Sequence, residues 1–289
     1  MKFTISGYST ALFSTWIFIE ELGLLFDAGD GLSASLLQKS RKIKQAFISH
    51  ADRDHLGGLL QFTQLNAREK LPIIHYPKDS GSFPALKSFL DKFDPHVSGV
   101  QWIPIQEGME FKVKGKYFVK SIRNNHIVVA REISKSLSYL LVEKKNKLKP
   151  EFRNLSGEEI GSLVKLQGKD HISDSIEEKI IGYSGDTPVD DYERWDNTEI
   201  LIHEATFLDD HEGLNTKMHK HSRLHEVMEM ASNINIGKLI LSHFSTRYSE
   251  KQIDDRIRKL IRHYNIKIPV LRISPGKTHV DILNENPLN

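Results

Sequence analysis

Four side chains able to hold a cation fall within the six residues His50-Ala51-Asp52-Arg53-Asp54-His55, directly after the apolar run Ala46-Phe47-Ile48 and ahead of Leu56-Gly57-Gly58. Imidazoles and carboxylates at that spacing suit divalent metals bound through nitrogen and oxygen, because the metal takes lone pairs that burial would otherwise strand. Groups of the same chemistry end later apolar runs. His126 follows 119–125, Asp186 follows Ile180-Ile181-Gly182-Tyr183, His203 and Glu204 follow Ile200-Leu201-Ile202, and His243 follows Leu239-Ile240-Leu241-Ser242. Taken singly, each has an ordinary use: a strand-end histidine as a hydrogen-bonded surface or core residue, Asp186 as a helix cap before Pro188, Asp52 as the cap of a following helix. Five strand ends that each carry His or Asp argue instead for ligands converging at one sheet edge, where packed strands hold them rigid.

The elements that must position these groups can be read from hydrophobic periodicity. Strands are expected at 2–6, 15–19, 22–26, 45–48 and 72–75, with a hairpin turning at Glu20-Glu21. Helical patterns fall at 32–38, 54–66 and 83–93. The middle reads as strands at 100–103, 110–113, 117–122 and 137–143. Alternation then resumes: strands 179–183 and 200–203, helix 224–232, strand 238–241, helix 250–264, and closing strands near Val270 and Val280. Strands first and alternation after, twice over, predict two sheets packed face to face with helices outside. Residues 144–174 differ: Lys-rich, then Gly-punctuated, with one helical stretch near 158–166, they read as an inserted arm of a single domain spanning 1–289.

Composition narrows the chemistry. The chain of 289 residues can bury a substantial core, and 39% hydrophobic with 27% charged residues is ordinary for a globular protein. Forty basic against thirty-eight acidic residues leave +2, a balance that neither announces nor excludes a nucleic-acid partner. No cysteine is present, which removes disulfides, thiolate metal sites and cysteine nucleophiles; fourteen histidines steer any metal to N/O ligation. The apolar stretch 16–26 is broken by Glu20 and Glu21, so neither a signal core nor a membrane span is expected, and a cytoplasmic location fits.

The motifs H-A-D-R-D-H-L-G-G, His126, Y-S-G-D-T (183–187), H-E-A-T-F (203–207), H-S (His221-Ser222) and L-S-H-F-S-T-R-Y (241–248) resemble, in that order, the metallo-β-lactamase superfamily and within it the ribonuclease Z branch. The branch rests on H-E-A-T, H-S and H-F-S-T-R-Y. The resemblance implies a four-layer αββα sandwich and a metal-dependent phosphodiesterase, cutting tRNA precursors to leave a 3′-hydroxyl. It also implies two divalent ions: His50, His126 and Asp52 holding one, Asp54, His55 and His243 the other, and Asp186 bridging. Asp54 would orient or deprotonate the attacking water, and His221, steadied by Glu204, would serve the leaving oxygen. A homodimer whose arms serve each other's sites is implied as well.

Two departures stand out. The superfamily motif reads H-x-H-x-D-H, and Asp52 occupies the place of its second His; a hard, anionic donor there should shift selectivity from zinc toward manganese, iron or magnesium. The family's glycine-rich, proline-containing opening is replaced by Ile5-Ser6-Gly7-Tyr8-Ser9-Thr10, and the arm is short. Between Arg131 and Lys149 six basic residues face only Glu132 and Glu143, so Lys144, Lys145, Lys147 and Lys149 are candidate substrate contacts, against the plainer reading of a solvated charged loop. Gly57-Gly58 read as close helix packing. Two other functions remain in view: hydrolysis of a small or cyclic phosphodiester, and a non-catalytic RNA- or partner-binding protein.

Overall fold

The structure, a computed structural model, describes residues 3–208 and 220–289. The first sheet runs in chain order: β1 (Ile5–Thr10), β2 (Ser14–Ile19), β3 (Leu24–Phe26), β4 (Gln45–Phe47), β5 (Ile73–Pro77) and β6 (Gln101–Ile105). Its first three strands pair antiparallel and the rest parallel. The second sheet repeats that plan: β7 (Glu110–Lys114), β8 (Tyr117–Arg123), β9 (Leu137–Leu148) and β10 (Ser173–Tyr183) are antiparallel neighbours, and β11 (Thr198–Glu204), β12 (Ile236–Ser242) and β13 (Val270–Arg272) continue in parallel.

The helices are α1 (Leu32–Leu36), α2 (Arg53–Leu56), α3 (Leu59–Asn66), α4 (Ser82–Phe93), α5 (Gly157–Gln167), α6 (Lys169–Ile172), α7 (Leu224–Asn233) and α8 (Glu250–His263). Parallel strands are buried on both faces, and three apolar clusters follow from that. One lies between the sheets, with Phe26 stacked on Tyr139 and Tyr183. A second seals α7 and α8 onto the second sheet, and the third seals α1, α3 and α4 onto the first. The result is the expected αββα sandwich.

Local differences from the sequence expectations have identifiable causes. The helix expected at 54–66 is two helices, broken at Gly57-Gly58: a side chain at Gly58 would sit 2.2 Å from the Gly29 carbonyl, and the Gly58 N–H is taken by the Ala28 carbonyl. The pattern at 32–38 makes only α1 before tightening into a 3₁₀ turn, Leu37–Lys42. No strand forms near Val280; His279 makes an isolated bridge to Gly7. The first strand begins at Ile5, and Lys2 lies outside the described residues. The arm is no loose loop. β9 and β10 stay paired out to Leu148 and Ser173, and a 3₁₀ turn (Pro150–Phe152), α5 and α6 crown the ribbon. Among the described residues, no helix is long and apolar enough to cross a membrane.

Candidate metal centre

Five chain segments leave the C-terminal ends of β4, β8, β10, β11 and β12 and meet at one edge of the sandwich, where side chains from both sheets face each other. Hydrogen bonds to main-chain carbonyls after β4 hold the sheets together there: Leu137 N–H donates to the Ser49 carbonyl at 2.8 Å, and the Tyr139 side chain Oη–H to the Ile48 carbonyl at 2.6 Å. Gly185 sits in the left-handed region (φ 58°) with its α-carbon against Ser49, where a Cβ would lie 2.8 Å from the serine's own. That contact brings Asp186 to the β4 segment.

The seven residues expected as ligands come together in two groups. Asp54, His55, Asp186 and His243 form one, all buried; His50, Asp52 and His126 form the other. In the first, Asp54 Oδ2 lies 3.5 Å from His55 Nε2 and 3.3 Å from His243 Nε2, and Asp186 reaches the same nitrogens at 3.2 and 3.4 Å. In the second, Asp52 Oδ2 is 3.5 Å from both His50 Nε2 and His126 Nε2. Asp186 Oδ2 also stands 3.7 Å from His50 Nε2, so its carboxylate borders both groups.

Hydrogen bonds behind the histidines fix every imidazole in one tautomer. Ser49 Oγ–H donates to Asp27 Oδ2 at 2.8 Å, which leaves Ser49 Oγ to accept from His50 Nδ1–H at 2.9 Å. His55 Nδ1–H donates to Asp27 at 2.7 Å, and His126 Nδ1–H to the Lys220 carbonyl at 3.0 Å. Thr206 Oγ1–H donates to Glu204 Oε2 at 2.6 Å and so accepts from His243 Nδ1–H at 2.9 Å. All four Nε2 atoms therefore face the cluster, the arrangement of metal-binding histidines. The nitrogens His50 Nε2 and His55 Nε2 are buried without a hydrogen-bond partner. Buried lone pairs left unmade are costly, and a divalent cation satisfies them. The donor set, imidazole and carboxylate without sulfur, suits such an ion.

The electrostatics agree. Burial holds His50 neutral, with its His55 neighbour adding to the effect. Burial opposes charge on His55, yet the Asp186 and Asp27 carboxylates outweigh it and push the imidazole well above its ordinary range. The facing imidazoles, His126 first and then His50, keep Asp52 ionised; burial works against Asp186 and Asp54, but facing histidines keep both ionised. The pocket thus attracts positive charge.

Glu204 and His221 stand beside the candidate ligands. Glu204 Oε1 accepts from His221 Nδ1–H at 3.1 Å and from Thr187 N–H at 2.6 Å. Burial disfavours the imidazolium of His221, but Glu204 more than compensates and raises the group to about 9. His203 plays no such part: Nδ1–H goes to the Glu204 carbonyl, and burial lowers it to about 4. Asp186 caps no helix, and Asp52, at the start of α2, makes no capping bond. The arm lysines lie elsewhere. Lys144 pairs with Glu110, Lys145 with Glu178 and Glu143, and Lys149 Nζ donates to the His171 carbonyl, while Lys147 opposes Asp174 across the ribbon.

Sequence reasoning missed the supporting layer: Asp27, Ser49, Thr206, the Lys220 carbonyl and the Leu12 N–H, which donates to Asp54 Oδ2 at 3.0 Å. Asp27 alone accepts from Ser49 N–H, Ser49 Oγ–H, His55 and Tyr183. Its place after an apolar strand was a readable signal.

No family model matches the chain. Curated sequences do. It is 28% identical over 267 residues to tRNase Z TRZ1 of Arabidopsis thaliana, covering 89% of this chain and 91% of that protein. It is 30% identical over 253 residues to the ribonuclease Z of Listeria innocua, covering 78% of each. Among solved structures, human tRNase Z short form superposes with a TM-score of 0.59 at 19% identity, over 96% of this chain and 98% of that one. The metallo-β-lactamase fold protein YhfI of Bacillus subtilis gives 0.62 at 14%, over 96% and 100%. At these identities the structures speak to fold alone.

Proposed function

We propose, for a chain that belongs to the ribonuclease Z family of metallo-β-lactamase-fold hydrolases, that it cleaves a phosphodiester bond of tRNA precursors using two divalent cations. The observation that carries this reading is the pair of ligand groups bordered by one carboxylate, Asp186, with the His221–Glu204 pair beside them. His50, Asp52 and His126 would hold one ion and Asp54, His55 and His243 the other, with Asp186 shared. Bound cations would supply Lewis acidity, making water nucleophilic near neutral pH and neutralising charge on the phosphoryl oxygens.

The protein's own groups account for the proton movements. Asp54, ionised and fixed by the Leu12 N–H, orients the attacking water and accepts its proton. Water oxygen bonds to phosphorus as the bond from phosphorus to the 3′-oxygen breaks. His221, protonated and held at Nδ1 by Glu204, gives its Nε2 proton to that departing oxygen, leaving a 3′-hydroxyl. Asp52 in place of an imidazole favours manganese, iron or magnesium over zinc at its ion.

The arm supports a homodimer. The eleven-residue β10 carries Ser173 at the arm and Tyr183 at the metal edge, so the ribbon's far end stands roughly 30 Å from the chain's own ligands. An arm so placed serves a substrate whose cleavage site lies on a second subunit. A cytoplasmic setting fits a chain without cysteine. One observation favours a second reading, a small or cyclic phosphodiester as substrate: at least two arm lysines, Lys144 and Lys145, are already neutralised by glutamates. The non-catalytic alternative leaves the His221–Glu204 pair and both ligand groups unexplained.

Metal-reconstituted protein tested on precursor tRNA, cyclic nucleotides and bis(p-nitrophenyl) phosphate decides among the three, with Asp54→Ala as control. Cleavage of precursor tRNA is the expected result. Turnover of the small diesters alone would select the second reading, and no turnover of any would select the third. Sedimentation of the same protein as a monomer would sink the dimer.

A further inference from the structure

The tip of the β1–β2 hairpin is apolar, exposed and tied to the metal centre. Phe13 N–H closes a turn on the Thr10 carbonyl at 3.0 Å, and Leu12 within it adopts φ 69°. Glycine takes that conformation freely, whereas a leucine there is strained. Burial does not offset the strain, since Leu12 is 87% exposed and Phe13 61%. Neither backbone nor core accounts for these two side chains.

Their position does. Leu12 N–H donates to Asp54 Oδ2 at 3.0 Å, Ser9 Oγ accepts from His243 N–H at 2.9 Å, and Ala11 N–H donates to the Phe244 carbonyl at 3.2 Å. The hairpin is therefore tied directly to Asp54 and to the main chain at His243, two of the candidate ligands, while Leu12 and Phe13 stay exposed. Residues 9–19 carry no charge, so the tip offers nothing to a phosphate. It offers an aromatic face and an aliphatic edge. A nucleobase lies one sugar away from its phosphate, and every base has a face that stacks on such a ring.

We propose that Phe13, flanked by Leu12, is a stacking platform for a base of the nucleotide adjoining the scissile phosphodiester. The inference rests on the reading of RNA as substrate and adds the contact that would align the strand beside the metals. Because stacking tolerates any base, the platform would position the strand without selecting sequence.

The test uses precursor RNA carrying either its normal base or an abasic ribose on each side of the scissile bond. For the wild type, loss of one of the two bases should lower kcat/KM by about 5- to 50-fold. In Phe13→Ala the ratio between normal and abasic RNA should fall to about one, because the partner of that base is gone. Leu12→Gly should weaken cleavage at the same nucleotide while its melting temperature holds or rises, since glycine relieves the left-handed strain. A ratio in Phe13→Ala equal to that of the wild type overturns the platform and leaves the RNA reading standing. So does a change confined to self-association, which would assign the tip to a subunit contact. Wild-type protein that hydrolyses bis(p-nitrophenyl) phosphate but neither RNA overturns the RNA reading and the platform together.

Discussion

The two candidate ligand groups differ in how they are enclosed. Asp54, His55, Asp186 and His243 are buried, and Asp54, His55 and His243 are each braced by a neighbour from a distant segment. His50 and His126 are equally buried, but Asp52, the carboxylate between them, has a side chain 60% exposed. One half is a closed cage; the other is a pair of imidazoles closed by a carboxylate at the solvent edge. Rigid first-contact groups bind tightly because little ordering remains to be done on binding. The enclosed half should hold its ion more tightly, and the open half should be where ion identity is set and exchange occurs.

Asp186 borders both halves, so removing it should have the largest effect. Asp186→Ala is expected to lower kcat on any phosphodiester by about 10⁴-fold, as much as the upper end for losing one positioned acid–base group, because the carboxylate borders both ion sites. Metal analysis of the dialysed protein should show both ions weakened. Loss of a single ion with the other unaffected would mean that the carboxylate belongs to one half only. Asp54→Ala should cost about 10²- to 10⁴-fold in kcat while the Asp52 half keeps its affinity. Equal metal loss in both halves would remove the distinction between them.

The next effects concern the supports. Asp27→Asn should weaken the enclosed ion by about 10- to 100-fold, because an amide is a poorer acceptor for His55 Nδ1–H. Competition with a chelator measures it; unchanged affinity would show that Asp27 serves packing alone. Asp52→His should raise zinc affinity relative to manganese at the open half by about ten-fold, the size of a single donor's preference, with the enclosed half unmoved. Zinc and manganese titrations followed separately would expose the opposite result, a shift in both halves.

Much of this centre was legible in the sequence. All seven candidate ligands follow apolar runs, and a buried strand that ends in His or Asp is a local signal. The double αββα plan was legible too, because each half begins with hairpin-like strands and continues in alternation. The braces were not. Leu12 and Asp54 are 42 positions apart, Thr206 and His243 37, and no spacing rule connects such pairs before the sheets pack. The break in the helix at Gly57-Gly58 was hidden for the same reason. Its cause, the Gly29 carbonyl, comes from another part of the chain. Nor could alternation reveal how far β9 and β10 extend into the arm, since ribbon pairing there is carried by polar residues such as Lys145 and Glu178.

The smallest effect tests how separate the halves are. Ser49 joins the two halves: its hydroxyl donates to Asp27 Oδ2 and accepts from His50 Nδ1–H. Ser49→Ala would leave the buried His50 Nδ1–H without a partner, a cost of about 1–3 kcal/mol that falls on the His50 ring. Asp27 would keep Ser49 N–H, His55 and Tyr183, so the orientation of His55 should survive. The open half should therefore lose affinity by about five- to ten-fold, the low end of that cost, and the enclosed half by less than about two-fold. Separate affinities come from stepwise chelator competition on the Ser49→Ala protein. Parallel weakening of both ions would show that the Asp27–Ser49–His50 chain acts as a single brace, and that the exposed carboxylate of Asp52 alone distinguishes the two halves.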